Sequence, residues 1–192
     1  MFSFSVPANR NKAEDLDRYI DMIARGDGTG LNELYKRTKS AVYGFILSLV
    51  RDFQDAEDVT QDCYVSVYVN AAAYVSEKKP MAWILTIARN LSLKKLNEKR
   101  RTTPIGEEEI ERYYKERAMS AGNIAEDRFF LSEILNGLTD EEREILILHA
   151  VAGLKHRETA KILGIPLPTA LSKYNRAVKK LQKKYGSRTG EL

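Results

Sequence analysis

The sequence has little of what secreted and membrane-spanning proteins need. One cysteine, Cys63, stands among 192 residues, so an internal disulfide framework is excluded and a reducing compartment is favoured. No run approaches the ~20 apolar residues that cross a bilayer, and the longest, around residues 41–50, is interrupted by Gly44 and Ser48. The first residues, MFSFSVPANRNK, lack the charged and apolar regions of a secretory signal. The composition therefore predicts a cytoplasmic protein without membrane insertion.

Signatures of catalysis and metal binding are also scarce. The two histidines, His149 and His156, lie seven residues apart with no cysteine near them in the sequence, which is not the usual spacing of zinc ligands. Neither a Gly-rich phosphate loop nor a nucleophile paired with a base is recognisable. We therefore expect no catalytic activity, no metal and no cofactor.

Strand patterns are weak, and apolar residues recur mainly at steps of three and four, which is typical of helices that bury one face. The five prolines lie near element ends or in loops. The pattern predicts an all-α protein with helices near residues 15–25, 31–50, 55–70, 81–96, 125–135, 138–152, 156–163 and 168–183.

A change in the sign of the charge divides the chain. Residues 105–127 carry seven acidic side chains against three basic ones, close to a Pro-containing and a Gly-containing break, and such a change indicates a domain boundary. We predict two small helical domains joined by a linker: a flexible tail (1–14), an N-terminal domain (15–98), an acidic linker (99–124) and a C-terminal domain (125–192).

The C-terminal domain is predicted to contain a helix-turn-helix. Gly164 suits the left-handed end of the first helix, and Pro168 suits the first turn of the second. In the second helix one face is apolar, with Ala170, Tyr174 and Ala177, while the others carry hydroxyls, Lys and Arg. Residues 153–192 hold ten Lys and Arg against two Glu, although the net charge of the chain is only +4. This concentration favours DNA binding; an amphipathic hairpin with a solvated basic face is the alternative.

Three polar side chains of the helix near 55–70 share one side. Asp58, Gln61 and Asp62 are three and four residues apart, so they are neighbours on a helix. Taken alone, exposed carboxylates of this kind indicate only solubility.

Four blocks of sequence, in order, carry a resemblance to a known family. They are ARGDGTGLNELYKR with AVYGFILSLVRD, DAEDVTQDCYVSVY, PMAWILTIARNLSLKKL, and LTDEEREILILHAVAGLKHRETAKILGIPLPTALSKYNRAVKKL. Together they cover most of residues 15–184. In this order the chain resembles an extracytoplasmic-function (ECF) sigma factor, a two-domain bacterial transcription initiation factor.

The resemblance implies partners and site residues. Core RNA polymerase would bind Asp58, Gln61 and Asp62. The minus-ten promoter element, opened into single strands, would be held by Trp83, Asn90, Lys94 and Lys95, although the helical spacing of Trp83 also suits the core. Duplex minus-thirty-five DNA would be contacted by Thr169, Leu171, Ser172, Lys173 and Arg176. An anti-sigma factor is a possible further partner.

The chain departs from the family pattern at Lys155, His156, Pro168 and Leu171. The family usually has a Ser-aromatic pair at the first two positions, often a Gly at the third and a Lys or Arg at the fourth, so the base preference and the DNA affinity are open. Two other functions compete with the sigma factor. One is a stand-alone helix-turn-helix regulator whose N-terminal domain binds a ligand or dimerises, and the other is a protein-binding helical adaptor.

Overall fold

The structure, a computed structural model, describes residues 10–76, 79–102 and 137–185. Within these ranges the regular elements are helical and no strand is present. The α-helices are α1 (Arg10–Ala24), α2 (Gly28–Val50), α3 (Phe53–Asn70), α4 (Pro80–Thr102), α5 (Asp140–Leu146), α6 (His156–Leu163) and α7 (Leu167–Tyr185). A turn of 3-10 helix, Ala71–Ala73, follows α3, and a π-helical segment, Ile147–Val151, extends α5. The predicted all-α fold is confirmed.

Helices α1 to α4 pack into one bundle, which we call the front bundle. Helix α2 contacts α1, α3 and α4, and α3 also contacts α4. The core of the front bundle includes the fully buried side chains of Leu34, Phe45, Ile46, Ile84 and Leu85. The bundle therefore holds the outward sides of α3 and α4 on a rigid support.

Polar side chains set where α2 and α3 begin. The Asp27 carboxylate accepts a hydrogen bond from the Thr29 N–H at 2.9 Å, and the Asp52 carboxylate accepts one from the Asp55 N–H at 2.9 Å. Each satisfies an N–H group that the first turn of a helix leaves without an intrahelical partner. The start of α3 is thereby fixed, which fixes the direction in which its later residues face.

Helices α5 to α7, which we call the rear module, contain the helix-turn-helix. Helix α5 begins with a capping box: the Glu142 N–H donates to Thr139 Oγ1 at 3.3 Å, and the Thr139 N–H donates to Glu142 Oε2 at 3.0 Å. Gly164 ends α6 in the left-handed region, with φ of 66°, where a side chain would be strained. Ala170 and Ala177 of α7 are fully buried, as the predicted apolar face requires.

The helix bounds differ from the predicted domain limits at two places. Helix α1 already begins at Arg10, inside the predicted tail, and α4 continues to Thr102, inside the predicted linker. The predicted helix at 125–135 and most of the linker lie outside the described residues. The division into domains stays a prediction. In the part of the chain that the structure describes, no helix is long and apolar enough to cross a membrane.

Two glycines of α2 give a matched test of this packing. A Cβ on Gly30 would lie 2.7 Å from the Tyr19 carbonyl oxygen and 2.8 Å from Met22 Cβ, whereas one on Gly44 would meet nothing within 4 Å. Gly30→Ala is expected to lower the free energy of unfolding by about 1–3 kcal/mol, because α1 must move away. Gly44→Ala is expected to raise it by about 0.5–1 kcal/mol, since alanine favours a helix interior. Urea denaturation of both variants measures these changes. Equal changes in the free energy of unfolding would contradict the close contact between Gly30 and α1.

Candidate protein and nucleic-acid interfaces

One side of α3 is exposed along most of its length. Asp58, Gln61 and Asp62 face solvent, so the predicted polar cluster is a surface and not part of the core. The same side continues with apolar side chains that are unusually exposed: Val65 is 62% exposed, Tyr68 51% and Val69 70%. We call these six residues the α3 face. Clustered exposed apolar side chains next to polar ones are typical of a protein-binding surface.

The apolar half of the α3 face was not predicted from the sequence. Its signal was present, because positions 58, 61, 62, 65, 68 and 69 follow the helical step of three and four. Apolar residues occur on both sides of α3, however, and the buried side is formed by Ala56, Val59, Cys63 and Val67. Sequence alone did not show which apolar residues the bundle leaves outside. Burial raises the pKa of the Cys63 thiol to about 12, which makes this cysteine a packing residue.

Two lysines of α4 are held by the first turns of α3. Lys95 Nζ lies 3.3 Å from Asp55 Oδ1 and 3.7 Å from Asp58 Oδ2, and Lys99 Nζ lies 2.8 Å from Asp55 Oδ2 and 3.8 Å from Asp52 Oδ2. Burial acts to raise the pKa of Asp55, but its bonds with Lys99 and Lys95 outweigh burial and hold that pKa below its usual value. These ion pairs tie the start of the α3 face to α4.

The structure therefore separates the predicted minus-ten residues. Lys95 turns toward α3, whereas Asn90 and Lys94 border an open depression of about 450 Å³ on another side of α4. Asn97 and Arg101 were not predicted, although they line the same depression and continue the helical step from Asn90 and Lys94. Leu93 and Glu98 complete the lining, and Lys94 Nζ lies 3.9 Å from Glu98 Oε1. Amides and cations in one row suit a single strand, whose backbone is anionic and whose bases offer hydrogen-bonding edges.

Trp83 lies apart from this depression. It is half-buried, and its ring packs against that of Tyr74 with centroids 4.8 Å apart. The Tyr74 hydroxyl donates to Asp17 Oδ1 of α1 at 2.6 Å. Trp83 is thus placed where it supports the end of the bundle, as its helical spacing suggested.

The predicted minus-thirty-five residues of α7 occupy two sides of the helix. Leu171, Ser172 and Arg176 are exposed, while Thr169 is only half-exposed. The Lys173 ammonium is bonded to the Glu141 carboxylate of α5, so Lys173 is partly engaged by its own chain. The outward side is completed by Asn175 and Lys179, both exposed. Asn175 was not predicted from the sequence, although its position next to Ser172 and Lys179 on the helix indicates the same outward side.

A second lysine of α7 fixes the helix to α5. Lys180 Nζ lies 2.7 Å from Glu142 Oε2. Burial acts to raise the pKa of Glu142, but Lys180 and the Thr139 N–H outweigh it and hold that pKa below its usual value. The capping carboxylate thus orients α7, so that the side with Ser172 and Arg176 faces outward.

Three rings join the helices of the rear module. The rings of His149 and His156 stack with centroids 3.8 Å apart, and Tyr174 of α7 meets them edge-on at 4.8 and 4.7 Å. His149 Nδ1 donates to the Leu154 carbonyl at 2.6 Å. Across residues 10–76, 79–102 and 137–185 no cluster suited to holding a metal ion is present, and packing explains these histidines.

The ring cluster predicts a pH dependence of stability. Burial first, and the neighbouring His149 second, hold the pKa of His156 below its ordinary 6.5. The unfolded chain therefore binds a proton more readily, so the stabilisation is full above pH 6.5 and is lost as the pH falls through the folded pKa. His156→Gln is expected to lose less stability between pH 7.5 and pH 5.5 than the wild type in urea denaturation. Equal losses would contradict this assignment.

Comparisons with known proteins agree with this arrangement. Residues 34–102 match the family model described as Sigma-70 region 2, and residues 131–181 match Sigma-70, region 4. The ECF RNA polymerase sigma factor SigK of Mycobacterium tuberculosis is 29% identical over 178 residues, which cover 88% of this chain and 93% of the relative. SigK of Mycobacterium ulcerans is 28% identical, with 89% and 94% covered.

Two solved structures share the fold. The structure of CnrH in complex with the cytosolic domain of CnrY matches with a TM-score of 0.64 and 19% identity, over 90% of this chain and 98% of that one. The sigma factor RpoE in complex with the anti-sigma factor NepR from Bartonella quintana matches with a TM-score of 0.61 and 19% identity, over 79% and 94%.

The two region models cover most of α2 with α3 and α4, and then α5 to most of α7, in the order that the sequence predicted. The chain belongs to the sigma-70 family. Within that family it is a transcription initiation factor of the ECF type. The prediction made from the four sequence blocks is confirmed, and the stand-alone regulator is not favoured.

Proposed function

We propose that the α3 face binds core RNA polymerase and that α4 and α7 bring the polymerase to specific promoters. The observation that carries this proposal is the exposure of the α3 face, with Asp58, Gln61 and Asp62 beside an apolar patch on a rigid bundle. A partner helix with arginines and apolar side chains fits such a surface. The apolar patch would supply much of the affinity, and the carboxylates would set orientation and specificity.

The depression along α4 is the proposed site for the opened minus-ten strand. Asn90 offers an amide to a base edge or to the backbone, and Lys94 offers a charge to a phosphate. Asn97 and Arg101 extend the row by about two helical turns, since each turn rises about 5.4 Å. Lys95 has a different proposed role, which is to hold Asp58 and Asp55 in place.

The outward side of α7 is the proposed contact with duplex minus-thirty-five DNA. A second helix of a helix-turn-helix enters the major groove with its first turns toward the bases. Ser172 and Asn175 suit base edges, Arg176 and Lys179 suit phosphates or guanine, and Leu171 suits a thymine methyl group. Lys173 is proposed to exchange Glu141 for a phosphate when DNA is bound.

An inhibitory protein partner is proposed for the same surfaces. The two solved neighbours were determined with CnrY and with the anti-sigma factor NepR. An anti-sigma factor that covers the α3 face would exclude polymerase from it. Neither this role nor promoter selection needs a catalytic group from the chain, and we propose that it acts in the cytoplasm, where the polymerase works.

Run-off transcription with purified core polymerase and genomic DNA fragments tests the function. Specific transcripts are expected only when both the chain and core polymerase are present. A footprint on DNA without polymerase, especially by a dimer, would favour a stand-alone regulator. Unchanged function after charge reversal on α7 would favour a protein-binding adaptor, and a failure of the purified chain to bind core polymerase would overturn the proposal.

A further inference from the structure

The first two turns of α7 expose apolar side chains where a reading helix usually carries polar ones. Residues 167–172 have the sequence LPTALS, which contains no acidic, basic or amide side chain. Leu167 is 40% exposed, and Leu171, one turn later, is 38% exposed. Pro168 is exposed as well. These three residues, which we call the leucine strip, lie in the part of a helix-turn-helix that contacts base edges.

Packing within the chain does not need the leucine strip. Ala170 and Ala177 already form the buried side of α7, together with Tyr174 against the two histidine rings. The ion pair of Lys180 with Glu142 fixes the rotation of the helix, and this rotation leaves both leucines outside. Exposed leucines are unfavourable in water, and contact with an apolar group of a ligand removes that unfavourable exposure.

The later turns of α7 indicate which ligand the leucine strip contacts. Arg176 and Lys179 are exposed there, and residues 153–192 hold ten Lys and Arg against two Glu. This positive charge complements a phosphate backbone. In the major groove of duplex DNA, the apolar group that a base presents is the C5-methyl group of thymine. A duplex with thymine against the leucines therefore fits both halves of the helix.

Hydrogen bonds from the same two turns would discriminate poorly between bases. Thr169 and Ser172 carry hydroxyl groups, which both donate and accept and therefore pair with several base edges. The side chains that make bidentate contacts with guanine or adenine are Arg, Lys, Asn and Gln. Of these, Lys173 is bonded to Glu141, and Asn175 lies further along the helix. Base discrimination by the first two turns therefore depends on the leucine strip.

We propose that Leu171, with Leu167 beside it, selects thymine in the upstream promoter element by packing against the C5-methyl group. The inference rests on the proposed function, since it takes the outward side of α7 as the duplex-binding surface. It adds that a methyl group is recognised, so thymine is favoured over uracil and 5-methylcytosine over cytosine. One helical turn of about 5.4 Å spans roughly one and a half base-pair steps of about 3.4 Å. Leu167 therefore reaches a base pair one or two steps from that of Leu171.

Uracil tests the methyl contact, because it lacks only the C5-methyl group of thymine and keeps the same hydrogen-bonding groups. The probe is a genomic duplex that the full chain transcribes with core polymerase, synthesised with uracil in place of one upstream thymine at a time. Competition binding to the complex of the chain with core polymerase measures the affinity. Uracil is expected to weaken binding about fourfold at one or two positions, as the loss of one buried methyl contact should.

Two variants distinguish this contact from a general loss of affinity. Leu171→Ala is expected to weaken binding to the thymine duplex about fourfold or more and to bind the uracil duplex no more weakly. For the same base pair, 5-methylcytosine in place of cytosine should tighten binding by the wild type but not by Leu171→Ala. The control, Lys179→Ala, removes a proposed phosphate contact and should weaken binding to thymine and uracil duplexes alike. Because Leu171 is exposed, the fold should remain, and circular dichroism checks the helical content.

Several results would overturn the inference. They are an upstream element without thymine, equal binding to thymine and uracil duplexes at every upstream position, and a uracil effect that neither Leu171→Ala nor Leu167→Ala reduces. If the chain directs polymerase to no duplex, the proposed function fails. The chain alone is then tested at low salt, which strengthens phosphate contacts, on random-sequence duplexes made with thymine or with uracil throughout. A preference for the thymine duplexes that Leu171→Ala removes would support the inference, and equal binding would overturn it.

Discussion

Replacing Asp58, Gln61 and Asp62 together by alanine is expected to weaken binding to core RNA polymerase by about 100-fold or more. Truncating a key side chain at the centre of an interface costs about 2 kcal/mol or more. A 100-fold loss corresponds to about 2.8 kcal/mol, which is less than two such residues would contribute. The fold should remain, because all three side chains are exposed. Titration of labelled protein with core polymerase measures the loss, and run-off transcription should fall with it.

The matched control removes an exposed carboxylate elsewhere. Asp21 lies on α1 and makes an exposed ion pair with Arg25 at 2.7 Å, of a kind that contributes little to stability. Asp21→Asn is expected to leave polymerase affinity unchanged. If the triple variant binds polymerase as tightly as Asp21→Asn does, the α3 face is not the docking surface.

Substitutions in the apolar half of the α3 face distinguish a loss of polymerase affinity caused by lost packing from one caused by lost charge. Val65→Ser with Val69→Ser leaves every carboxylate in place and removes exposed apolar area. We expect a loss of affinity that persists at high salt, whereas the effect of the acidic residues weakens as salt screens them. This salt comparison distinguishes packing from charge in the same helix.

The Arg176→Ala, Lys179→Ala protein is expected to lose most of its affinity for promoter duplex within the polymerase complex. Each phosphate contact adds about 0.9 to the slope of log K against log salt, so two lost contacts should reduce that slope by about 2. Both side chains are exposed on the outward side of α7, and stability should change little. Lys173 is a poorer choice, because its replacement also removes the bond to Glu141.

A control for this pair removes the same charge from the front bundle. Lys36 and Lys39 are exposed on α2, where Lys36 pairs with Glu33 and Lys39 lies over the Tyr35 ring. Lys36→Ala with Lys39→Ala should leave the salt slope unaltered. A slope that falls equally in both double variants would indicate a general effect of net charge and would contradict a specific contact through α7.

The helices and their amphipathic faces could be predicted because each depends on short-range pattern. The capping box at Thr139 and Glu142, the left-handed Gly164 and the buried Ala170 and Ala177 all follow from residues a few positions apart. Local chemistry of this kind needs no knowledge of the partner helices.

The candidate site was only partly predictable, because its charged residues choose partners that are distant in sequence. Lys95 looked like a DNA contact, yet the structure places it against Asp55 and Asp58. The bond between Lys173 and Glu141 likewise joins two residues that are distant in the sequence and lie on different helices. Helical spacing gives the side of a helix on which a residue lies, but not which neighbouring helix covers that side.

The burial of Arg143 was not predictable from the sequence for a related reason. Arg143 occurs in a charged run, DEER, that indicates an exposed first turn, but its side chain is buried against the backbone of Ser48. Nothing within a few residues of Arg143 distinguishes it from a solvated arginine. Only the approach of α2 explains why a cation is buried there.

A crossed comparison of two variants tests most directly whether polymerase binding and duplex binding reside on different helices. Core polymerase affinity and protection of the upstream promoter element are measured for the Asp58/Gln61/Asp62 triple alanine and for Arg176→Ala, Lys179→Ala. The first variant should lose polymerase binding. The second should keep polymerase binding and lose upstream protection. If the α7 variant loses polymerase affinity as severely as the α3 variant does, or if the α3 variant still assembles with polymerase, this separation of roles is contradicted.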